Sequence, residues 1–458
     1  MGGAPAPAAS LLVGVLTAIM IFFLVVQSFQ ALLTFWAVPE LWSNWRIAED
    51  AYFLSLLGTD ALPPISVVAA LHDAERDAVP FAHMLLDLQY PRHEVVLVND
   101  GSGDGTFAAL ERAFDLYVVP PAVMVNIVTE PVRGYYRSRT HPRLLVLDKV
   151  HGGAADAMNA GINAARYPHA LATGRNIIFE RDALLRLTRP FLLDRDVVAV
   201  GSTLRPANGA RVDGGRIVPG TVSGWVVGSQ TIEYLRNFLF QRLGWNRVAS
   251  NLLFPGNTTL FKREHIFALG GFRRDLYAPG LDLVIRLERH LADRGINPRT
   301  PVIPEQVAWT TLPTSIETVA RARRRWQHGL LAAFRRNRGV LGNPEFGTFG
   351  LVALPYTLVA VIVAPFAELA GYVLLVAGIL TGVVSAGFVL AYLAAVLGYG
   401  ILLSVWTVIL YALTFERSES RSSIPRLLGF AIVESLGYRQ LMAWYRATAL
   451  FIARTPKS

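Results

Sequence analysis

Two stretches of the chain place chemistry-bearing side chains at spacings a ligand site would use. The first reads Val98-Asn99-Asp100-Gly101-Ser102-Gly103-Asp104-Gly105-Thr106. An aspartate leaving the carboxyl end of a strand faces the crevice of an open α/β sheet, so Asp100 could accept hydrogen bonds from a base or a ribose. The glycines permit tight turns, and Asp104 or Thr106 can cap the helix that follows. A strand–turn–helix in which Asp100 only satisfies backbone amides explains the same spacing equally well. The second stretch runs from Lys149 to Gly161 and contains Gly152-Gly153 and Asn159-Ala160-Gly161. Free amides at Gly152 and Gly153 could meet a phosphate at a helix start. A glycine N-terminus followed by small residues for close packing is as economical. The histidines, among them His83, His93, His141 and His151, show no metal-ligand spacing, and the absence of cysteine removes disulfides, thiol catalysis and thiolate metal sites.

Such residues need a sheet to hold them. Ile65–Ala70 and Glu94–Asn99 are short apolar, β-branched runs with a helical stretch, Pro80–Leu88, between them. Leu144–Leu147 and Asn176–Phe179 read as further buried strands, and Thr106–Leu116 and Ala154–Ala165 as helices. Alternation of this kind predicts a mostly parallel, helix-covered α/β sheet over residues 63–316.

The rest of the chain is apolar. Of 458 residues 53% are hydrophobic and 17% charged, which excludes a disordered or fibrous protein and points to a bilayer. Leu11–Val38 carries no charge and is long enough to cross hydrocarbon. With no positive start it reads as a retained transmembrane helix, within 1–45, rather than a signal peptide. In the block 346–415 Glu368 is the only charge, marking either a functional contact inside the membrane or a helix end beside Pro365. Nothing basic precedes Arg46, whereas Arg417, Arg421 and Arg426 follow the block. Both flanks are therefore expected inside, which requires an even number of crossings, most simply two, over Val352–Val384 and Phe388–Leu413. Region 317–345 carries Arg321, Arg323, Arg324, Arg325, Arg335, Arg336 and Arg338 around Trp326 at helical spacing, a basic amphipathic helix suited to anionic headgroups. Region 416–458, with Arg426, Arg439, Arg446 and Arg454, reads as a second interfacial helix. Lys+Arg 43 against Asp+Glu 34 gives a net charge of +9, and beside membrane segments this argues for lipid rather than nucleic acid.

Taken in order, these features resemble the membrane-integrated family 2 glycosyltransferases with a GT-A domain, the group that includes cellulose, poly-N-acetylglucosamine and hyaluronan synthases. The resemblance rests on the leading helix, the strand ending at Asp100 and the Gly152-Gly153 to Gly161 element. It continues through Glu180-Arg181-Asp182-Ala183-Leu184, Phe261-Lys262-Arg263-Glu264, Gly270-Gly271-Phe272 and Arg323-Arg324-Arg325-Trp326 to the closing membrane helices. It implies a Rossmann-like GT-A domain on the cytoplasmic side of the inner (plasma) membrane of the cell, in a multi-pass protein. It also implies inverting transfer of a sugar from a nucleotide diphosphate donor. Family members hold uridine with an early aspartate pair, Mg2+ or Mn2+ with Asp-x-Asp, and the acceptor with Gln-x-x-Arg-Trp, while a later acidic motif supplies the base.

At those chemical points the sequence departs from the family. Asp-x-Asp is replaced by Gly174-Arg175-Asn176, which leaves no charged metal ligand. The acidic pair before Leu281 is Pro279-Gly280, with Asp282 two positions on as the one weak candidate for a base. The glutamine of Gln-x-x-Arg-Trp is Ala322, the lysine expected after Gly-Gly is Ala154, and the first strand exits as Leu71-His72-Asp73. Asp73, Asp100, Gly152 and Gly153 remain as candidates for a residual uridine nucleotide, and Arg323, Arg324, Arg325 and Trp326 for the acceptor side. The expectation is a pseudo-glycosyltransferase without metal cofactor, acting as a scaffold or binding subunit beside other membrane proteins. The competing expectation is an active, metal-independent transferase in which Arg175 neutralises the diphosphate and the product is a polysaccharide or glycolipid.

Overall fold

The computed structural model describes residues 7–48, 62–121, 125–213, 216–218, 220, 222–248, 257–415 and 424–451. Arg417, Arg421 and Arg454 lie outside them. The globular region is built on a ten-stranded sheet in the order β3-β4-β5-β2-β1-β6-β11-β8-β12-β7. In chain order its strands are β1 Ile65–Leu71, β2 His93–Asp100, β3 Leu116–Val119, β4 Val132–Ser138, β5 Leu144–Lys149, β6 His169–Gly174, β7 Ile177–Phe179 and β8 Ala199–Pro206. The short hairpin β9 Arg211–Asp213 and β10 Arg216–Val218 stands apart, and β11 Thr258–Lys262 and β12 Val302–Thr310 complete the sheet.

The parallel expectation is met in the centre of the sheet and again where β8 pairs with β12. β5, β2, β1 and β6 run parallel, with Val68 opposite Val96 and Leu97 opposite Val146. β3 and β4 extend one side antiparallel, β11 lies antiparallel between β6 and β8, and β7 is antiparallel to β12, so the sheet is mixed. β1, β2 and β5 read from the sequence because strands buried on both faces appear as continuous apolar runs, while the run read at Asn176–Phe179 is β7 at the antiparallel edge. β3 and β4 are mostly only partly buried. The helix Ala154–Ala164 packs across β1 and β2 through Gly161, where a Cβ would lie 2.3 Å from Val68 Cγ1. Small residues in this helix therefore serve close packing.

Among the described residues, three helices have the length and composition to cross a membrane: Pro7–Trp42, Phe349–Leu380 and Ala386–Thr414. Leu11, Val25, Phe35, Val373, Leu390 and Leu402 expose large apolar surface on them, as lipid-facing residues do. Against their inner side lies a helical run from the globular region, Trp225–Tyr234, a π-helical turn Leu235–Phe240 and Gln241–Trp245. At the crossing with the first membrane helix, Gly244 sits so close that a Cβ would meet the Leu33 carbonyl oxygen at 2.1 Å. The helix Ile316–Arg336 is capped by Ser315, whose hydroxyl accepts from the Thr318 amide. Behind the membrane helices follow Ile424–Val433 and Arg439–Thr448.

Candidate functional site

Asp100 ends β2 almost fully buried, and its carboxylate is already engaged. Lys149 Nζ donates to Oδ1 at 2.9 Å, the Gly152 amide to Oδ1 at 3.0 Å and the Gly153 amide to Oδ2 at 2.8 Å. Gly153 reaches this geometry at φ +88°, and Gly101 makes its turn at φ +60° with His151 packed where a Cβ would stand. Lys149, itself without exposed surface, also meets Asp156 Oδ1 at 2.7 Å, and Arg274 closes the cluster on Asp156 Oδ2 at 2.9 Å. The amides of Gly152 and Gly153 thus point at a carboxylate of the same chain, as the structural alternative read from the sequence has it. Asp73, at φ +44°, accepts from the Gly103 amide at 2.9 Å and braces the same turn.

Two histidines that sequence spacing did not connect stand over this cluster. His72 Nδ1 donates to the Asp100 carbonyl at 2.9 Å, His151 Nδ1 lies 3.0 Å from both the Asp100 carbonyl and Oδ2, and the rings are 4.4 Å apart. Ligand atoms of His72, His151 and Asp100 fall within 4.8 Å of one another. A cation there would have to share Asp100 with the Lys149 ammonium, which opposes it electrostatically.

Next to the ends of β1 and β6 opens a cavity of about 790 Å³ that continues between the membrane helices. Gly174, Asn176, Ala154, Pro279, Gly280, Ala322 and Trp326 line its sheet side, and Phe23, Val26, Ala360 and Val361 its membrane side. Among the described residues, the charged ones on its wall are Glu233, Glu368, Glu434, Arg236, Arg242, Arg323, Arg439 and Arg446. All three acids are paired. Glu233 accepts from Arg446 Nη2 at 3.0 Å and from Arg323, Glu434 takes Arg236, and Glu368 lies 3.6 Å from Arg439 Nε. Burial opposes the charge on Arg323, yet Glu233 outweighs it and holds the guanidinium above its ordinary range. Burial raises the Tyr438 phenol, and Glu233 adds to the effect.

No protein-family profile matches the chain. In sequence it is similar to the poly-β-1,6-N-acetyl-D-glucosamine synthase of Staphylococcus epidermidis, 23% identical over 265 residues that make up 58% of this chain and 54% of that protein. The synthase of Staphylococcus aureus strain COL is 22% identical over 274 residues, 60% of this chain and 56% of its own. The chain therefore spans about half the length of the curated relatives it matches. Among solved structures, the mannosyltransferase PcManGT from Pyrobaculum calidifontis, in complex with GDP-Man and Mn2+, superposes over 91% of this chain and 99% of its own, with a TM-score of 0.50 at 18% identity. The globular region has the GT-A glycosyltransferase fold. Its homologues are family 2 glycosyltransferases.

Within this GT-A domain, the residues standing at the family's chemical positions do not suit a divalent metal. Gly174 and Asn176 face the cavity without a carboxylate, and the Asn176 side chain is held between Asn257 and Thr310 at 3.4 and 3.5 Å. Arg175 extends to the other side, donating to the Asp73 carbonyl and to Asp77 Oδ2, both at 3.4 Å. Asp282, the candidate base, has no exposed surface. Arg273 Nη1 donates to it at 2.9 Å, Arg286 Nε at 2.8 Å and Asn337 Nδ2 at 2.9 Å, so it locks the helix Pro279–Ala292 to the end of Ile316–Arg336. Three donors, two of them guanidinium groups, thus engage both oxygens of this carboxylate, the weak candidate for a base.

The basic helix also divides differently from the expectation. Arg323 and Trp326 share the face that meets the cavity, Arg324 lies 5.2 Å over the Tyr445 ring, and Arg325 stays exposed with Arg321 and Arg335. Arg439 and Arg446, read as surface cations, turn inward because Glu368 and Glu233 wait there. Glu233, Arg236 and Arg242 were missed altogether. Their signal was present as charged residues recurring inside the otherwise apolar run Trp225–Trp245.

Proposed function

We propose that this chain is a catalytically silent glycosyltransferase-like membrane protein that uses the cavity between its GT-A domain and its membrane helices to bind a ligand within a membrane assembly. One observation carries the reading: every acid on the cavity wall is consumed by an arginine, and none stands at the positions where the fold holds a metal or a base. Inverting transfer needs a carboxylate to deprotonate the acceptor and a charge to stabilise the departing diphosphate. The metal-independent alternative gains nothing from Arg175, whose guanidinium is turned to Asp77 outside the cavity. Engagement of Asp100, Gly152 and Gly153 within the chain likewise gives no support to a residual uridine site.

In this reading the GT-A domain lies at the cytoplasmic face of the inner membrane, since three crossings put both the domain and Arg426 on one side. The exposed Arg321, Arg325 and Arg335 face anionic headgroups, and other membrane subunits are the expected protein partners. Nucleic acid is not. The test is release of nucleoside diphosphate by the purified full chain from UDP-N-acetylglucosamine, other UDP-sugars and GDP-mannose, with Mg2+ or Mn2+ and without either. Release at the protein-free background is expected, and sustained turnover of any donor overturns the reading.

A further inference from the structure

Four of the five arginines on the cavity wall are matched to acids. The fifth is Arg242. It lies in the segment Gln241–Trp245 that crosses the first membrane helix, and it is 5% exposed. Its Nε and Nη1 atoms have no hydrogen-bond partner among the described residues. Its neighbours are aromatic: the guanidinium carbon sits 4.2 Å from the centre of the Phe238 ring, which stacks on Tyr234 at 4.5 Å. Burial lowers its pKa to about 9, which still leaves it charged at neutral pH. The adjacent Gln241 also lines the cavity, and its Nε2 has no partner among the described residues either.

An aromatic face offsets only part of the cost of a desolvated cation. A buried guanidinium normally has a carboxylate or phosphate in its fork, and here the cavity acids are already taken. Among the described residues none supplies the missing counter-charge, which leaves the fork open to an anion from a ligand. The space in front of it is bounded by donors on one side and by Phe23, Val26, Ala360 and Val361 of the membrane helices on the other.

We propose that Arg242, with the Gln241 amide, is an anion subsite that holds a phosphate group of the cavity's ligand, the remainder of which lies along the apolar membrane-side wall. The proposal rests on the cavity being a ligand site and is independent of whether sugar transfer occurs. The same phosphate chemistry can arrive as the headgroup of an anionic lipid entering between the helices or as a free nucleoside diphosphate.

The experiment is thermal unfolding of the purified full chain in neutral detergent with three probes: inorganic pyrophosphate, UDP, and phosphatidylglycerol mixed micelles against phosphatidylcholine micelles. At least one phosphate probe raises the wild-type midpoint by about 3 °C or more. Arg242→Met abolishes that rise while leaving the ligand-free midpoint equal or higher, because an uncompensated charge is gone. A rise confined to phosphatidylglycerol identifies the lipid source, and a rise with UDP or pyrophosphate the free one; either supports the subsite. Equal rises in wild type and Arg242→Met, or no rise with any probe, overturn it. Should Arg242→Met fail to fold, Arg242→Gln removes the charge while keeping length and polarity, and is read the same way. Sugar turnover in the assay above would sink the silent reading and leave this result standing.

Discussion

Arg236 and Glu434 meet as a two-pronged pair, Nη1 to Oε2 and Nη2 to Oε1 both at 3.0 Å, with Ser404 donating to Oε2 at 3.2 Å. The pair joins the GT-A domain to the third membrane helix and to the segment behind it. Burial opposes the Glu434 charge, but Arg236 outweighs it and keeps the carboxyl below its usual range. Removing one partner leaves a buried charge, so Arg236→Met or Glu434→Met alone is expected to cost about 3–5 kcal/mol. The double variant, with two apolar side chains of similar volume, recovers most of that loss. Unfolding midpoints of the four proteins check this, and additive losses would show that the two residues act separately.

His169 opens β6 with its ring edge against Phe191 at 4.9 Å and its Nδ1 without a partner among the described residues. Burial lowers its pKa to about 4; Lys262 adds to the shift and Glu264 opposes it. The unfolded chain therefore takes up this proton near pH 6.5, before the folded protein does. The contribution is complete above pH 6.5 and is lost as pH falls toward 4. Burial also lowers buried His93, which acts in the same sense. Unfolding midpoints followed from pH 7 to 4 should fall in the wild type and fall less in His169→Phe. Parallel curves would count against His169 as the source.

Asp100 holds together the turn that carries Lys149, Gly152 and Gly153. Asp100→Ala strips Lys149 of one counter-ion and leaves the Gly152 and Gly153 amides without acceptors. A loss of about 2–5 kcal/mol is expected in chemical denaturation of the full chain. A stable Asp100→Ala protein with reduced UDP affinity would instead return the residue to a ligand role.

What the sequence disclosed followed from how local each signal is. Strand β1 was readable as Ile65–Ala70 because an unbroken apolar run flanked by turn residues has few other uses, and Asp100 was correctly placed at a strand exit. That Gly174, Asn176, Pro279 and Gly280 carry no carboxylate is plain in the sequence, and the structure places all four on the cavity wall. The ion pairs were not. Glu233 draws one arginine from Ile316–Arg336 and one from Arg439–Thr448, and no periodicity along the chain encodes a meeting of three helices. Asp282 was legible only as an acid near a helix start; that Arg273 and Asn337 close on it leaves no local signal in the sequence. Arg439 and Arg446 resembled surface cations because helical spacing shows which residues share a face, not whether that face meets water or a buried glutamate.

On the proposed reading a metal site is lost only at two side chains, and this can be tested by placing carboxylates there. Gly174 has no positive φ that would forbid a side chain, and a Cβ there would stand 3.3 Å from Asn176 Oδ1, the atom that a second replacement also changes. Both residues line the cavity, while Arg175 between them is occupied with Asp77. The double variant Gly174→Asp, Asn176→Asp places two carboxylates at the mouth of the cavity, the ligand type a hard divalent cation requires. Wild type is expected to bind no Mn2+ there, and the variant a single ion per chain, read from loss of the free Mn2+ electron-spin signal on titration. The variant is still expected to release no nucleoside diphosphate, because Pro279 and Gly280 supply no base. A folded variant that binds no Mn2+ would mean that the turn after β6 has changed its backbone path as well as its side chains, and the metal site would then be lost at the level of the fold.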